Sequence, residues 1–267
     1  MAVKALTFST WRRLVLFLIG LLWVAPTLWI LWETFFSDNG LTRFTLTNLR
    51  QAWAAGPWVR YAINTAVIVL GLLASQLLFG AIVGFVLARY EFRFKSIITL
   101  IFLMQIIVPI YAILIPEYEL ISHLHLLNTV IGIMLPYSVS GLSVIAFRQT
   151  FRSVPRELEE AARLDGYRTA GVFRRVYLPH SVPAAIAVAV ISVTYHWTDF
   201  VWPLIVGNTA ASRPLVVGLA SVAQASESAL QWNLLAAATV IVVAPALVIF
   251  ALATRRIVNA FAQAFNW

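Results

Sequence analysis

Residues 61–88 read YAINTAVIVLGLLASQLLFGAIVGFVLA and contain no Asp, Glu, Lys or Arg. A hydrocarbon layer of about 30 Å needs about 20 apolar residues at 1.5 Å each, so this stretch can cross one as a helix. Its apolar positions run on continuously instead of alternating, which sets it apart from a barrel strand. Inside lipid every backbone N–H and C=O needs a partner within the segment, and for a lone run only a helix supplies it.

Five further runs share this character, at 14–35, 96–116, 126–147, 182–206 and 234–254. The apolar cores of all but one are free of charge; the exception holds Asp199 near one end. Six transmembrane helices forming one domain are therefore expected, an all-α membrane protein. The whole composition agrees: 61% of the 267 residues are hydrophobic and 11% charged, where soluble domains carry about a quarter charged residues. Cysteine is absent, which excludes disulfides, thiolate metal sites and a cysteine nucleophile. The run at 14–35 follows Lys4, Arg12 and Arg13, as a signal peptide would. Its apolar core is too long for one and no small-residue cleavage site follows, so it reads as a retained first helix.

The net charge is +8, but the basic residues sit in clusters between the apolar runs and form no stripe for nucleic acid. Of the 19 Lys and Arg, only Arg43, Arg50, Arg60 and Arg213 fall on the outer side if the N-terminus is inside. The positive-inside bias thus predicts both termini in the cytoplasm. Trp29, Trp32, Trp53, Trp58, Tyr61, Trp197, Trp202 and Trp232 gather near the outer ends, as interfacial anchors do.

Between the fourth and fifth runs lies a cytoplasmic loop, 148–180, with helical signals of its own. Ser153 suits an N-cap and Pro155 a first turn, with Glu157, Glu159 and Glu160 at the positive end of the helix dipole. Gly166 stops or bends that helix. A second amphipathic stretch sets Ala170, Phe173, Val176 and Tyr177 against Arg168, Arg174 and Arg175, and Pro179 and Pro183 close it. Such a hairpin can lie on anionic lipid or dock a protein, and its four acids favour the protein.

The run Glu160-Ala161-Ala162-Arg163-Leu164-Asp165-Gly166, with Phe173, Leu178-Pro179 and Pro183 after it, resembles the EAA loop of ABC importer permeases. Leu127-Asn128-Thr129, Leu135-Pro136-Tyr137, the stretch Ser153 to Glu159, and Trp197-Thr198-Asp199-Phe200 with Trp202-Pro203-Leu204 resemble the maltose-type oligosaccharide branch. The likeness runs from about residue 60 to about 256, departing from the family at Tyr167, at Thr198 and in the tail 257–267.

The resemblance implies a type I importer permease fold in a bacterial inner membrane. It further implies a second, non-identical permease, two ATP-binding subunits and an extracytoplasmic sugar-binding protein as partners. The EAA loop would dock on the ATPase, with Glu160 as acidic contact, Ala161 and Ala162 as the close-packing surface and Gly166 as the bend. Phe173 and Pro179 belong to the same motif. Asp165 is open between a direct contact and a cap for the second short helix. No cofactor is expected on this chain, which has no phosphate-binding GxxxxGK[ST] motif and only Lys4 and Lys95 as lysines. ATP and magnesium would serve the partner ATPase.

Polar residues inside lipid are costly and tend to have work to do. Asn64, Gln105 and Asp199 are candidates for the translocation path or outer gate, and Gln76 for a hydrogen bond between helices. Pro109 and Pro116 should kink the third helix. A secondary carrier would need intramembrane acids and internal repeats, which are not evident. For a membrane enzyme, His123 and His125 lack a third partner in pattern, and neither HExxH nor GxSxG occurs. The solute is open between a sugar or oligosaccharide and a glycerol phosphate or polyol.

Overall fold

A computed structural model describes residues 10–37, 40–227 and 231–265, with side chains for 11, 13–36, 44–224 and 231–251. Of the orientation signal, Lys4 and the side chains of Arg12, Arg43, Arg255 and Arg256 lie outside the described residues, as does the tail's end at 266–267. The chain divides into two compact units, Met1–Pro57 with Leu219–Pro245 and Trp58–Gly218 with Ala246–Trp267.

In the first unit, α1 (Thr10–Phe35) continues as helix through Pro26. Its large apolar side chains are bare, Leu22 being 74% and Trp23 81% exposed. A helix apolar all round and without a core face belongs in lipid. A short antiparallel hairpin follows, β1 (Phe36–Ser37) and β2 (Gly40–Phe44), an addition to the all-α expectation. Next comes α2 (Thr47–Ala54), whose Asn48 Nδ2 donates to the carbonyls of Glu33 and Thr34 at 3.3 and 3.2 Å and so ties α2 to the open end of α1.

The second unit is built on α3 (Trp58–Arg89), the stretch quoted at the outset. Then come α4 (Lys95–Ile107), α5 (Leu114–His123), α6 (Val130–Met134) and α7 (Gly141–Ser153). The 148–180 region contributes α8 (Arg156–Leu164), α9 (Thr169–Val172), a π-helical turn at Phe173–Tyr177 and α10 (Leu178–His180). After them stand α11 (Val182–Thr198) and α12 (Val201–Val206), while α13 (Leu215–Glu227) and α14 (Trp232–Phe265) each contribute residues to both units. The main packing is of α3 on α7 and α11, with α4 also on α7.

Gly80 and Gly84 let α7 approach closely. A Cβ on Gly84 would stand 2.9 Å from the Arg148 nitrogen and 3.0 Å from the Val144 oxygen, both backbone. Small residues four apart are a recurrent way for membrane helices to meet. In the sequence this spacing stands as GAIVG at 80–84.

Among the described residues three helices are long and apolar enough to cross a membrane, and up to five crossings result if two bent helix pairs each count as one. The run at 96–116 is not one helix. Pro109 offers no N–H and forces its predecessor out of the helical region, so Val108 is extended (ψ 123°) and α4 stops at Ile107. A 3₁₀ turn at Ile110–Ala112 leads to α5, in whose first turn Pro116 costs nothing. The run at 126–147 is also divided. Its first residues are not helical, and the segment 130–137 meets α7 at a 43° bend. The run at 182–206 breaks where Asp199 turns extended (ψ 125°), between α11 and α12.

The knot beside these breaks absorbs several residues that looked like interface anchors. Asn128 adopts φ 61°; its N–H donates to the Val206 carbonyl at 2.8 Å and its Oδ1 accepts from the Asn208 N–H at 2.9 Å. Thr129 caps α6 by accepting from the Gly132 N–H at 3.0 Å. Trp202 donates from Nε1 to the Ile133 carbonyl at 3.1 Å and packs with Ile68, Leu72, Ile121 and Val206. Trp58, Tyr61 and Trp202 are thus core residues and not headgroup anchors, while Trp29, Trp32, Trp53 and Trp232 are exposed as a belt requires.

Candidate functional site

Helix α7 runs on to Ser153, whose Oγ donates back to the Thr150 carbonyl at 2.8 Å. Ser153 therefore closes α7 and does not cap α8. Pro155 occupies that cap position and offers no side-chain acceptor. The extended Val154 and Pro155 turn the chain, and Glu157 and Glu159 fall in the first turn of α8 as expected.

The far end of α8 is a Schellman turn. The Gly166 N–H donates to the Arg163 carbonyl at 3.0 Å, and the Tyr167 N–H reaches back to the Ala162 carbonyl at 3.1 Å. Gly166 takes φ 86°, which a glycine adopts without strain. Asp165 sits at the C-cap of α8, and the N-cap of α9 is Arg168, so Asp165 caps no second helix.

One acid ties this hairpin to the long helix. Glu159 Oε2 accepts from Arg89 Nε and Nη2 at 3.0 and 2.9 Å and from the Tyr177 hydroxyl at 2.6 Å. Its Oε1 accepts from Arg163 Nε and Nη2 at 3.2 and 2.9 Å. Arg89 is the last residue of α3, and its guanidinium also lies 5.1 Å from the centre of the Tyr177 ring. Burial pushes the Glu159 carboxyl up, but the hydrogen bonds from Tyr177, Arg163 and Arg89 and the charge of Arg89 outweigh it and hold it at about 2. Burial first, and then the bond to Glu159, push the Tyr177 hydroxyl up.

Beneath the pair lies an aromatic cluster. Phe85 of α3 stands 5.0 Å from Phe173 and 4.9 Å from Tyr177, ring centre to ring centre, with Phe147, Phe151, Val154, Ala162 and Val172 completing the core. The hairpin is thereby packed onto α3 and α7 as one body.

Among the residues picked out from the sequence, Glu160, Ala161 and Asp165 face outward, as do Gly166 and Pro179. Ala162, expected on the partner-facing surface, points inward, and Phe173 is half-buried against Phe85. The outward face adds Leu164, 89% exposed at the tip. Glu159, Arg89 and Tyr177 were missed as a group. The spacing of Glu159 and Arg163, four apart on a helix, was the one sign available in the sequence.

A second site lies higher on α3. Gln76 Nε2 donates to the Tyr137 carbonyl at 2.8 Å and stands 3.0 Å from Nε2 of His196. These residues, with Gln105, Ser140, Ser192 and Tyr195, line a cavity of about 260 Å³ whose remaining walls are Ile, Val, Leu and Gly. Gln105 holds the start of α7, its Oε1 accepting from the Gly141 N–H and its Nε2 donating to the Val139 carbonyl at 3.0 Å. A narrow cleft, also lined by Tyr137 and Tyr195, contains Glu117 and Asp199. Gln105 and Asp199 are thus brought to the same pair of tyrosines. Asn64 is not; its Nδ2 donates to the Arg213 carbonyl at 2.9 Å. His196 is buried.

Residues 76–265 match the family described as binding-protein-dependent transport system inner membrane component. The chain belongs to that family. This permease is similar to the arabinooligosaccharides transport system permease protein AraQ of Halalkalibacterium halodurans, with 30% identity over 80% of this chain and 73% of that one. It is 28% identical to the diacetylchitobiose uptake system permease protein NgcG of Streptomyces coelicolor over 96% and 88%. Similarity extends to the sn-glycerol-3-phosphate transport system permease protein UgpE of Yersinia pestis, at 27% over 78% and 76%. Its fold is that of a crystal structure of a bacterial ABC transporter involved in the import of the acidic polysaccharide alginate, with TM-score 0.80 at 17% identity, covering 94% and 99% of the two chains. This permease is accordingly a multi-pass protein of the bacterial inner membrane. The family match starts at Gln76, so it contains both sites and leaves α1, the hairpin and α2 outside.

Proposed function

We propose that this permease is the membrane subunit of an ATP-driven importer for a sugar or oligosaccharide, crossing the membrane six times with both termini in the cytoplasm. A second, non-identical permease completes the pathway, two ATP-binding subunits dock on the 148–180 hairpin, and an extracytoplasmic binding protein delivers the solute. The third crossing is α4 continued through the turn at Ile110, the segment 130–137 with α7 makes the fourth, and α11 makes the fifth. The uneven distribution of Lys and Arg supports the orientation.

The observation that carries the coupling role is the hairpin itself. Its outer face offers Leu164 and Glu160, while its inner face is fixed to α3 by Glu159, Arg89 and the Phe85 cluster. A partner that grips the outer face in one of its two states more tightly than in the other moves the helices with it. The relatives that carry oligosaccharides in their names support the solute class, and UgpE supports a second reading in which the solute is glycerol phosphate.

The test is uptake into proteoliposomes by the assembled importer, with arabinotriose, diacetylchitobiose and glycerol 3-phosphate as probes. ATP-dependent entry of a sugar is expected. Entry that persists when the ATP-binding subunits are left out would establish a stand-alone carrier instead.

A further inference from the structure

The last turns of α7 hold a cation that the fold does not use. Arg148 Nε is shut off from solvent and has no hydrogen-bond partner, and among the described residues no carboxylate pairs with this guanidinium. Buried polar groups are nearly always bonded, so the orphan calls for an acceptor. Gly141 of α7 packs on Phe102 and Gln105 of α4. Helix α4 starts shortly after Arg89, which reaches the Val154 carbonyl at the end of α7, so the two helices run in opposite directions. Seven residues on from Gly141, Arg148 returns to the same side of α7, about 10 Å further along; seven back from Phe102 is Lys95, the first residue of α4. Arg152, four beyond Arg148, shares that side. Lys95 Nζ bonds Glu91 at 2.7 Å, and the Glu91 carboxyl is held below its ordinary range by Lys95 first and also by the charges of Arg156 and Arg152. One acid therefore stands among four cations. The start of α4 adds to the positive charge, because Phe94 at its cap position offers no side-chain acceptor to the helix dipole.

We propose that the crevice between the start of α4 and the end of α7 binds the headgroup phosphate of an anionic membrane phospholipid, with Arg148 and Arg152 on the phosphate. The acyl chains lie along α4, which buries none of its residues and turns Ile97, Leu100 and Ile101 outward, 57%, 50% and 60% exposed. The ligand must accept at Arg148 Nε and carry negative charge, and it must have an apolar part to cover that face. A phospholipid has both parts in this order, at the depth where helix ends meet headgroups. Its phosphate accepts from several donors at once, which suits forked guanidinium groups. Basic pockets between transmembrane helices are suited to such headgroups. The proposal needs only that the chain spans a membrane, whatever solute it carries.

The experiment uses the complete importer, stripped of lipid in mild detergent, and counts rebound lipid by native mass spectrometry. Phosphatidylglycerol and phosphatidylcholine with the same acyl chains are the probes. Arg148→Gln should weaken phosphatidylglycerol by about 10- to 100-fold, the worth of one hydrogen bond to a charged group, and leave phosphatidylcholine unchanged. Arg148→Lys keeps the charge without the Nε donor and should fall between Gln and wild type. Arg152→Gln changes an exposed residue, where folding is not at stake, and should weaken phosphatidylglycerol by about fivefold. Binding within about twofold of wild type in both Gln variants overturns the site, as does equal binding of the two lipids by wild type. Inorganic phosphate that displaces the lipid at equal concentration would make this a site for a free anion and overturn it. A second permease lost from the Arg148→Gln complex while the lipid count holds would assign the cation to an acid of that subunit, which overturns it too.

Discussion

Replacing Glu159 by Gln keeps the shape of the side chain and removes the charge that holds Arg89. Arg89 is only 10% exposed and Glu159 18%, so the cation would be left largely buried without its anion. Breaking such a pair from one side costs about 3–5 kcal/mol. The carboxyl gives a second measure: the interval from the ordinary 4.5 down to about 2 corresponds to about 3 kcal/mol. Arg163, 48% exposed, adds little. Because the folded carboxyl is depressed, this stability is complete above about pH 4.5 and is lost as the pH falls toward 2. Transport between pH 5 and 8 should therefore not vary on its account. In Glu159→Gln, amide hydrogen exchange over 156–177 should speed up by about 100-fold, the equivalent of about 3 kcal/mol in local opening. ATP hydrolysis should continue while transport per ATP falls, because the hairpin can still be gripped but no longer moves α3 with it. The double variant Glu159→Leu with Arg89→Met should recover most of the protection, since neither buried charge then remains. Exchange within about threefold of wild type, or a double variant as loose as the two single changes combined, would refute the assignment of this pair as the tie.

Glu160→Lys acts on the outer face, so membrane insertion and exchange of the hairpin should stay as in wild type while co-purification of the ATP-binding subunits weakens. Gly166→Ala has open space around it but a φ of 86°, so a strain cost of about 1 kcal/mol is expected, seen as faster exchange confined to 163–168. Gly84→Ala has ordinary helical backbone and no space, with backbone atoms at 2.9 and 3.0 Å. It should destabilise the α3–α7 pair by about 1–3 kcal/mol, measured as a lower melting temperature in nanodiscs.

Continuous apolar runs announce helices because lipid leaves the backbone no alternative, and that argument reached α1, α3 and α14 directly. It could not place the breaks in the third, fourth and fifth runs. Pro109, the positive φ of Asn128 and the extended Asp199 interrupt segments whose composition stays apolar, and hydropathy does not register backbone geometry. At the hairpin, composition identified the outer face, since Glu160 and Gly166 differ in kind from their neighbours. The inner face depends on Arg89 and Phe85, about 70 residues earlier, and no local pattern joins them to Glu159 and Tyr177. Interfacial preference and core packing call for the same residue, so Trp58 and Trp202 could not be told from Trp29 by type.

The two sites share α3. Gln76, at the cavity, and Arg89, at the tie, are separated by about 20 Å along a single helix, at 1.5 Å per residue. Among the described residues no proline or break interrupts the helix between them, and Gly80 and Gly84 press it against α7 over the same interval. A helix packed in that way transmits displacement because it has no soft joint to absorb it. The hairpin bonds to the end of α3, and Gln76 bonds to Tyr137 and meets His196. Any rotation imposed at Arg89 must then either carry Gln76 with it or break the Gly84 contact. That makes Gly84→Ala a test of transmission as well as of packing: it should lower transport per ATP without loosening either the tie or the ATPase grip.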